Sequence, residues 1–558
     1  MLTISRGLAA LLLVAGCSAG AGTATSDPPP SAPPPDAGPG PTPVEDGGPS
    51  TPDAGPKPCS GTPAECAAKW EQAASDRYDA LLAKPVDLAA FLKAVPKGAD
   101  LHNHLTGAVY AETYLSWAKG DGDCVNTTTF SVVGSGQCSA ATQPVPTSGA
   151  FFDQIVRAWS MKDFVPGTQT GRDHFFATFG KYGTVAGAHR DDDLADILQR
   201  AESENQLHVE TMFNLGKNVG SLASKLWTTP VTAAELPAFY DLLVADPTFA
   251  AQVAADVKVV DDATVAYKAK LGCSSLSPPA ACKVGLRFVA QVSRTGALDN
   301  IFGQLVSAYE MAAHTPQLVA ANLSSPEDDV TSLKNYDLHM EMLDFLNAKY
   351  TLANTSPLHI TLHAGELTPT YLPVGYETAN TFHVRSAVEK GHAERIGHGI
   401  DILTETDSAA LMDDMAKRGV MVEVCLSSND QILEVKGTKH PLSEFLKHGV
   451  PVALATDDQG VSRSSMAGEY LRAALDQKVS YRQLKTMARN SLEHAFLPGG
   501  SVWTSVADAK PLPACASTAT MGVGDPANAD CSQVLNASEK AAIQWELERR
   551  FRDFESRQ

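Results

Sequence analysis

From Ala64 onward, apolar runs of strand length alternate with helix-length amphipathic segments, and this alternation constrains the fold more than any other property of the chain. The strand candidates are residues 100–105, 206–213, 284–292, 317–323, 358–363, 395–397, 420–425 and 452–456. Apolar residues recur at helical spacing over 151–162, 174–185, 192–204, 249–271, 332–350, 380–390 and 407–418, with further helices at 465–475, 481–494 and 537–554. Eight strands with helical crossovers predict an α/β fold, a (β/α)8 barrel with inserted loops and extra terminal helices. Its site would lie at the C-terminal ends of the strands. A doubly wound open sheet is the competing fold, but it would gather its chemistry at one switch point, and no G-x-G-x-x-G follows the first strand.

The polar motifs all end such runs. Residues 97–107 read KGADLHNHLTG, and on a strand His102 and His104 point to one face, so both imidazoles could reach one metal ion. Two packed histidines would give the same spelling, so the weight comes from HAGE at 363–366, RIGHG at 395–399 and TDD at 456–458. His102, His104 and His363 with Asp457 make a borderline to hard donor set that suits Zn2+ and would accept other divalent first-row metals. A catalytic zinc keeps one position for water and lowers its pKa towards neutrality.

The remaining motif residues fit around such a water. Glu366 lies three residues beyond His363, close enough to face the same cavity without ligating, and a carboxyl in a partly dry pocket keeps a proton to give to a ring nitrogen. His398 could accept a hydrogen bond from the water or stabilise its developing charge. Asp458, next to Asp457, could grip a substrate nitrogen that carries a proton. Of the fifteen histidines, His174, His189, His314 and His448 are expected to make only local hydrogen bonds, and His440, before Pro441 at a helix start, to be a cap or rim residue. Asp457 and Asp458 alone would also read as a turn or a helix N-terminus.

The order HNH, HAGE, GHG and TDD resembles the adenosine deaminase family of metal-dependent hydrolases. Val209-Glu210, Glu423-Val424-Cys425, Ser427-Ser428-Asn429, His440-Pro441 and the run ARNSLEHAFL at 488–497 extend the likeness, which covers residues 97–497. The resemblance implies a barrel holding one zinc that converts a 6-aminopurine to its 6-oxo product and ammonia. It assigns His102, His104, His363 and Asp457 as ligands, Glu366 as the acid that protonates purine N1, His398 as the imidazole that positions water, and Asp458 as the carboxyl at N7.

Two departures bear on the substrate. Thr106 stands where the family commonly has an acid near the ribose, and Ser325, in NLSSPE, stands where many members have a glycine near purine N3. Ser325 is therefore a substrate-binding candidate. Ser462, Arg463 and Ser464 could meet a phosphate or ribose, or Arg463 could pair with an acid such as Glu469.

The first residues carry an address. Arg6 precedes the short apolar run 8–15 and then Val14-Ala15-Gly16-Cys17, which resembles a bacterial lipoprotein signal (residues 1–17) with Cys17 lipidated. An ordinary secretory signal is the alternative, and both predict export. Residues 18–63, rich in Pro, Gly, Ser, Thr and Asp, are expected to be a disordered tether, with the catalytic domain at 64–558. Of ten cysteines, eight fall into local pairs, Cys59 with Cys66, Cys124 with Cys138, Cys273 with Cys282 and Cys515 with Cys531, which suits an oxidising compartment. Cys425 is left as a buried thiol. The net charge of -20 excludes a nucleic-acid partner held through its phosphates.

Residues 121–149, 221–280 and 499–536 are expected insertions, the first a surface loop near the active-site end. The sequence thus predicts an exported, lipid-anchored zinc enzyme acting on a purine nucleoside, adenosine or 2′-deoxyadenosine. The alternatives are a deaminase of adenine, an N6-substituted purine or AMP, and a catalytically silent nucleoside-binding protein.

Overall fold

The computed structural model describes residues 57–353, 358–516 and 528–558. Eight parallel strands follow one another in sequence order: β1 Gly98–His104, β2 Gln206–Phe213, β3 Gly285–Ser293, β4 Leu318–Ser324, β5 His359–Ala364, β6 Arg395–His398, β7 Met421–Val424 and β8 Val452–Leu454. Every residue of β2, β4, β6, β7 and β8 is buried, as strands covered on both faces require, and this is why apolar residues predominate in β4, β7 and β8. The fold is the expected (β/α)8 barrel, and each of the eight candidate runs overlaps its strand, with ends shifted by up to two residues.

The ring closes at a seam between β8 and β1 that has little ladder of its own. Asp457 donates its N–H to His102 O at 2.8 Å, and His104 donates to Asp457 O at 3.3 Å around a single parallel bridge, Asn103 with Asp457. The Asp100 carboxylate adds two acceptors, for Thr456 N–H at 3.2 Å and Thr456 Oγ1 at 2.5 Å. At the other end the helix Tyr481–Glu493 bridges the gap: Ser491 Oγ accepts from Ala99 N–H at 2.7 Å, and Asn490 Nδ2 donates to Val452 O at 3.0 Å. That helix starts on a capping box in which Ser480 and Gln483 satisfy each other's free N–H groups.

The expected helices are present, with ends shifted by a few residues. The helix Leu298–Ala312 between β3 and β4 was not predicted; ten of its residues are buried, which leaves only a narrow polar stripe that includes Asn300, Gln304 and Glu310. Residues 121–149 are not a plain loop. They contain three short antiparallel strands, Cys124–Asn126, Val132–Val133 and Thr142–Pro144, whose Val125 and Val132 join Tyr114, Trp159 and Tyr182 in a second apolar core. That core includes Ile400, Ile432 and Val461, which follow β6, β7 and β8, so the insertion does sit at the C-terminal end of the barrel.

All four local cysteine pairs are disulfides, and Cys425 is a buried free thiol. The start of the folded region moves forward from Ala64. Lys57 donates its N–H to Ser556 O at 2.8 Å, Cys59 is bonded to Cys66, and Thr62 caps the helix Pro63–Leu81. The signal segment with Cys17, and the tether up to residue 56, lie outside the described residues. Among the described residues no helix is long and apolar enough to cross a membrane.

Candidate active site

His102 and His104 leave β1 on one face, His363 comes from β5, and Asp457 follows β8, so four positions scattered over the chain meet at the C-terminal mouth of the barrel. His363 Nε2 lies 3.1 Å from Nε2 of His102 and 3.1 Å from Nε2 of His104. Asp457 Oδ1 is 3.3 Å from His104 Nε2 and 3.7 Å from His102 Nε2. Two ligands of a tetrahedral zinc, each ~2.0–2.1 Å from it, stand roughly 3.3 Å apart, so the spacing fits.

The other ring nitrogens settle what those Nε2 atoms can do. His102 Nδ1 donates to Glu423 Oε2 at 2.7 Å, His363 Nδ1 to Asn322 Oδ1 at 2.7 Å, and His104 Nδ1 to Gln291 Oε1 at 3.3 Å. In the neutral form, each of these imidazoles turns an Nε2 lone pair inward, the arrangement by which metal-binding histidines are fixed. Three buried lone pairs facing the Asp457 carboxylate repel one another, and a cation among them removes the repulsion.

A second grouping of donors, His102, His398, Cys425 and Asp457, is also close. Cys425 does not suit a ligand role: burial, then Asp457 and Glu469, hold its thiol well above the ordinary value, and Sγ lies 3.9 Å from Glu423 O of its own strand end. The anchor below His102 is itself anchored. Glu423 Oε1 forms an ion pair with Arg395, 2.6 Å from its Nε, and accepts from Thr361 Oγ1 at 3.0 Å, and Arg395 also reaches Glu210 Oε2 at 2.7 Å.

Beside the histidines is a cavity of about 320 Å³ lined by Glu366, His398, Asp458, Thr106 and Ser325 as well as His104, His363 and Asp457. Burial, then Asp457 and Glu327, push the Glu366 carboxyl well above its ordinary pKa, so it holds its proton. Its backbone is fixed by Glu327, whose two oxygens accept from Gly365 N–H at 3.1 Å and Glu366 N–H at 2.8 Å. His398 Nε2 is 3.8 Å from Glu366 Oε1. Burial and the neighbouring Asp457 also raise Asp458, whose Oδ1 has no hydrogen-bond partner among the described residues. Asp458 fits only because Gly107 is bare: a Cβ there would stand 1.6 Å from Asp458 Oδ1.

Three of these residues hold left-handed backbone without being glycine: Ser325 at φ 82°, His398 at φ 70° and Asp457 at φ 57°. The turn at Asp457 lets two successive acids face one cavity, which a straight strand would send to opposite faces. Ser325 takes the conformation that a glycine takes readily, and its Oγ is 2.8 Å from Ser293 Oγ.

Some expectations are corrected. Arg463 pairs with Glu112, not Glu469, in two bonds of 2.6 and 3.0 Å, and neither it nor Ser462 nor Ser464 lines the cavity. Of the two roles expected for His440, it takes the cap and not the rim: it is buried, and its Nδ1 accepts from Leu442 N–H at 3.1 Å, at the start of the helix Leu442–Lys447. Sequence reading missed Gln291 and Asn322, polar residues inside apolar strands, and Asn214 and the wall formed by Phe175, Phe176 and Phe179 of the helix Gly171–Ala188. A polar side chain in the middle of a core strand was the signal that could have found the first two. A larger cavity, about 540 Å³, includes His359, Arg395 and Val420 at the strands' N-terminal ends, away from the convergent donors.

A family model for adenosine deaminase matches residues 243–502, which hold His363, Glu366, His398, Asp457 and Asp458. Over that segment, a little under half of its length, the chain is similar to the adenosine deaminase family. Similar proteins include the adenosine deaminase of Shigella boydii serotype 18, 32% identical over 38% of this chain and 57% of its own length. That of Serratia proteamaculans is 36% identical over 36% of this chain and 54% of its own length. The chain thus spans a little over half the length of these adenosine deaminase relatives. His102 and His104 fall outside the segment matched by the adenosine deaminase family model, and only the folded barrel brings them to the rest. Among solved structures, an adenine deaminase from Arthrobacter aurescens is 18% identical, covering 72% of this chain and 95% of its own, with a TM-score of 0.45.

Proposed function

We propose that this chain is a zinc-dependent aminohydrolase that converts adenosine or 2′-deoxyadenosine, with water, to the 6-oxo nucleoside and ammonia. One observation carries the reading: the Nε2 atoms of His102, His104 and His363 converge with the Asp457 carboxylate at the side of a cavity that Glu366, a carboxyl whose pKa burial raises, also lines. His102, His104, His363 and Asp457 would hold the ion. When bound there it lowers the pKa of water enough to provide a nucleophile near neutral pH.

The chain's own residues do the rest. Glu366 gives its proton to purine N1, which draws electron density from C6 and opens it to attack. Asp458, kept protonated, donates to N7, an acceptor. His398 orients the attacking oxygen. The phenyl rings of Phe175, Phe176 and Phe179 offer an apolar wall for the base and keep bulk water out.

The cavity favours an uncharged substrate. No lysine or arginine lines it, while Glu366, Asp457 and Asp458 do. Arg172, on the wall helix, is committed to Asp328 through Nε and, at 2.6 Å, through its terminal nitrogen, and Arg463 is committed to Glu112. A 5′-phosphate would meet no counter-charge there. Following the ultraviolet change on deamination, we expect adenosine to exceed AMP in kcat/KM by at least about 100-fold, a ratio within reach of one unpaired charged group. Conversion should stop on chelation. Equal rates on AMP would remove the uncharged-substrate reading, and turnover of adenine alone would move the reading to the free base.

We further propose that the protein is exported and anchored by lipid at Cys17. The four disulfides support an oxidising compartment. Cys17→Ser is expected to move the protein from the membrane fraction to the soluble one; continued sedimentation with membranes would count against lipidation at that residue.

A further inference from the structure

His398 has two ring nitrogens with very different surroundings. Nε2 faces the cavity, 3.8 Å from Glu366 Oε1, and has no hydrogen-bond partner among the described residues. Nδ1 is 3.0 Å from Asn429 Nδ2, on the helix Leu426–Leu433 that follows β7. Asn429 Oδ1 is in turn 3.2 Å from His440 Nε2, and His440 Nδ1 is 3.1 Å from Leu442 N. All three side chains are buried.

The end of this chain fixes its direction. Leu442 N–H is a backbone amide at the first position of the helix Leu442–Lys447, and a backbone amide can only donate. His440 Nδ1 must then be an acceptor, so a neutral His440 carries its hydrogen on Nε2 and donates to Asn429 Oδ1. That holds the Asn429 amide with its NH2 towards His398, where it donates to Nδ1. With its Nδ1 lone pair occupied, neutral His398 must carry its hydrogen on Nε2. Burial agrees: it lowers the pKa of His440 to about 3 and disfavours the doubly protonated ring that would break the sequence.

We infer that Asn429 and His440 form a positioning relay that sets the tautomer of His398, so that His398 presents an N–H donor to the attacking oxygen and does not act as the base that takes its proton. The relay is a deeper reading of the proposed deaminase site, and its kinetic part rests on that proposal. The ring-nitrogen part does not.

The first experiment is nitrogen-15 spectroscopy of histidine rings in the zinc-loaded full chain, with His398 assigned by its loss in His398→Asn. The inference expects an unprotonated Nδ1 and a protonated Nε2. The opposite tautomer overturns it, whether or not adenosine is a substrate. Asn429→Asp then places a carboxylate against Nδ1 and reverses the preference. It is expected to lower kcat by about 100-fold or more while KM and zinc content stay within about twofold, as for a wrong tautomer in other enzymes. His440→Gln, which still offers an amide donor to Asn429, is expected to keep most of the rate that His440→Leu loses. Unchanged kcat in Asn429→Asp overturns the relay, and if that variant fails to fold, the wild-type ring tautomer decides.

Discussion

Glu366→Gln is expected to bind its metal normally and lose turnover by roughly 10²–10⁴-fold, the contribution of a well-placed general acid. The substitution keeps the size of the side chain and its capacity to form hydrogen bonds, but an amide cannot give a proton to N1. Glu366 is not among the groups whose donor atoms converge with the histidines, so metal content should not change. The anchor that holds it is also independent of its side chain, because Glu327 grips the backbone N–H groups of Gly365 and Glu366. Metal analysis and single-turnover kinetics on the same preparation make the check. Retained turnover would take Glu366 out of the mechanism, while lost metal would make it a structural residue.

Removal of the metal is expected to loosen the barrel at one place, the seam between β8 and β1. His102 and His104 stand on one side of that seam and Asp457 on the other, where only two backbone bonds and one bridge join the strands. A cation held by all three is a cross-link between the first and last strands. An ion present at about 1,000 times its Kd would stabilise the fold by about 4 kcal/mol, which in a domain of this size is a Tm change on the order of 5 °C. Chelation should lower Tm by that order, hasten amide exchange at His104 and Asp457, and be reversed by zinc. A chelated protein with unchanged Tm and unchanged exchange at those amides would show that the seam does not depend on the ion.

The sequence revealed different parts of the molecule to different degrees, for physical reasons. Strands such as β2 and β4 were legible because a strand buried on both faces is mostly apolar, and the few polar residues within it, such as Glu210 and Asn322, are each held by a partner. The motif residues were legible for the same reason, since His104, His398 and Asp457 interrupt or end such runs. The helix Leu298–Ala312 was hidden by burial on nearly every side. The strands in 121–149 were hidden because each is two or three residues long and is held by Cys124–Cys138 and by a core drawn from distant segments. Arg463 and Glu112 are 351 residues apart, and no local pattern could pair them. Asn322 and Gln291 were passed over because their role, holding Nδ1 of His363 and His104, exists only once neighbouring strands are side by side.

The four disulfides have one more consequence, for the order in which the chain can be built. Their partners are 7, 14, 9 and 16 residues apart, and none joins one barrel strand to another. Each bridge can close as soon as its own short segment has been delivered, while the ring cannot close until β8 arrives. Oxidation and barrel assembly are therefore separable events: a segment can be oxidised correctly before the rest of the chain exists, and no cysteine has to wait, exposed to wrong partners, for a distant mate.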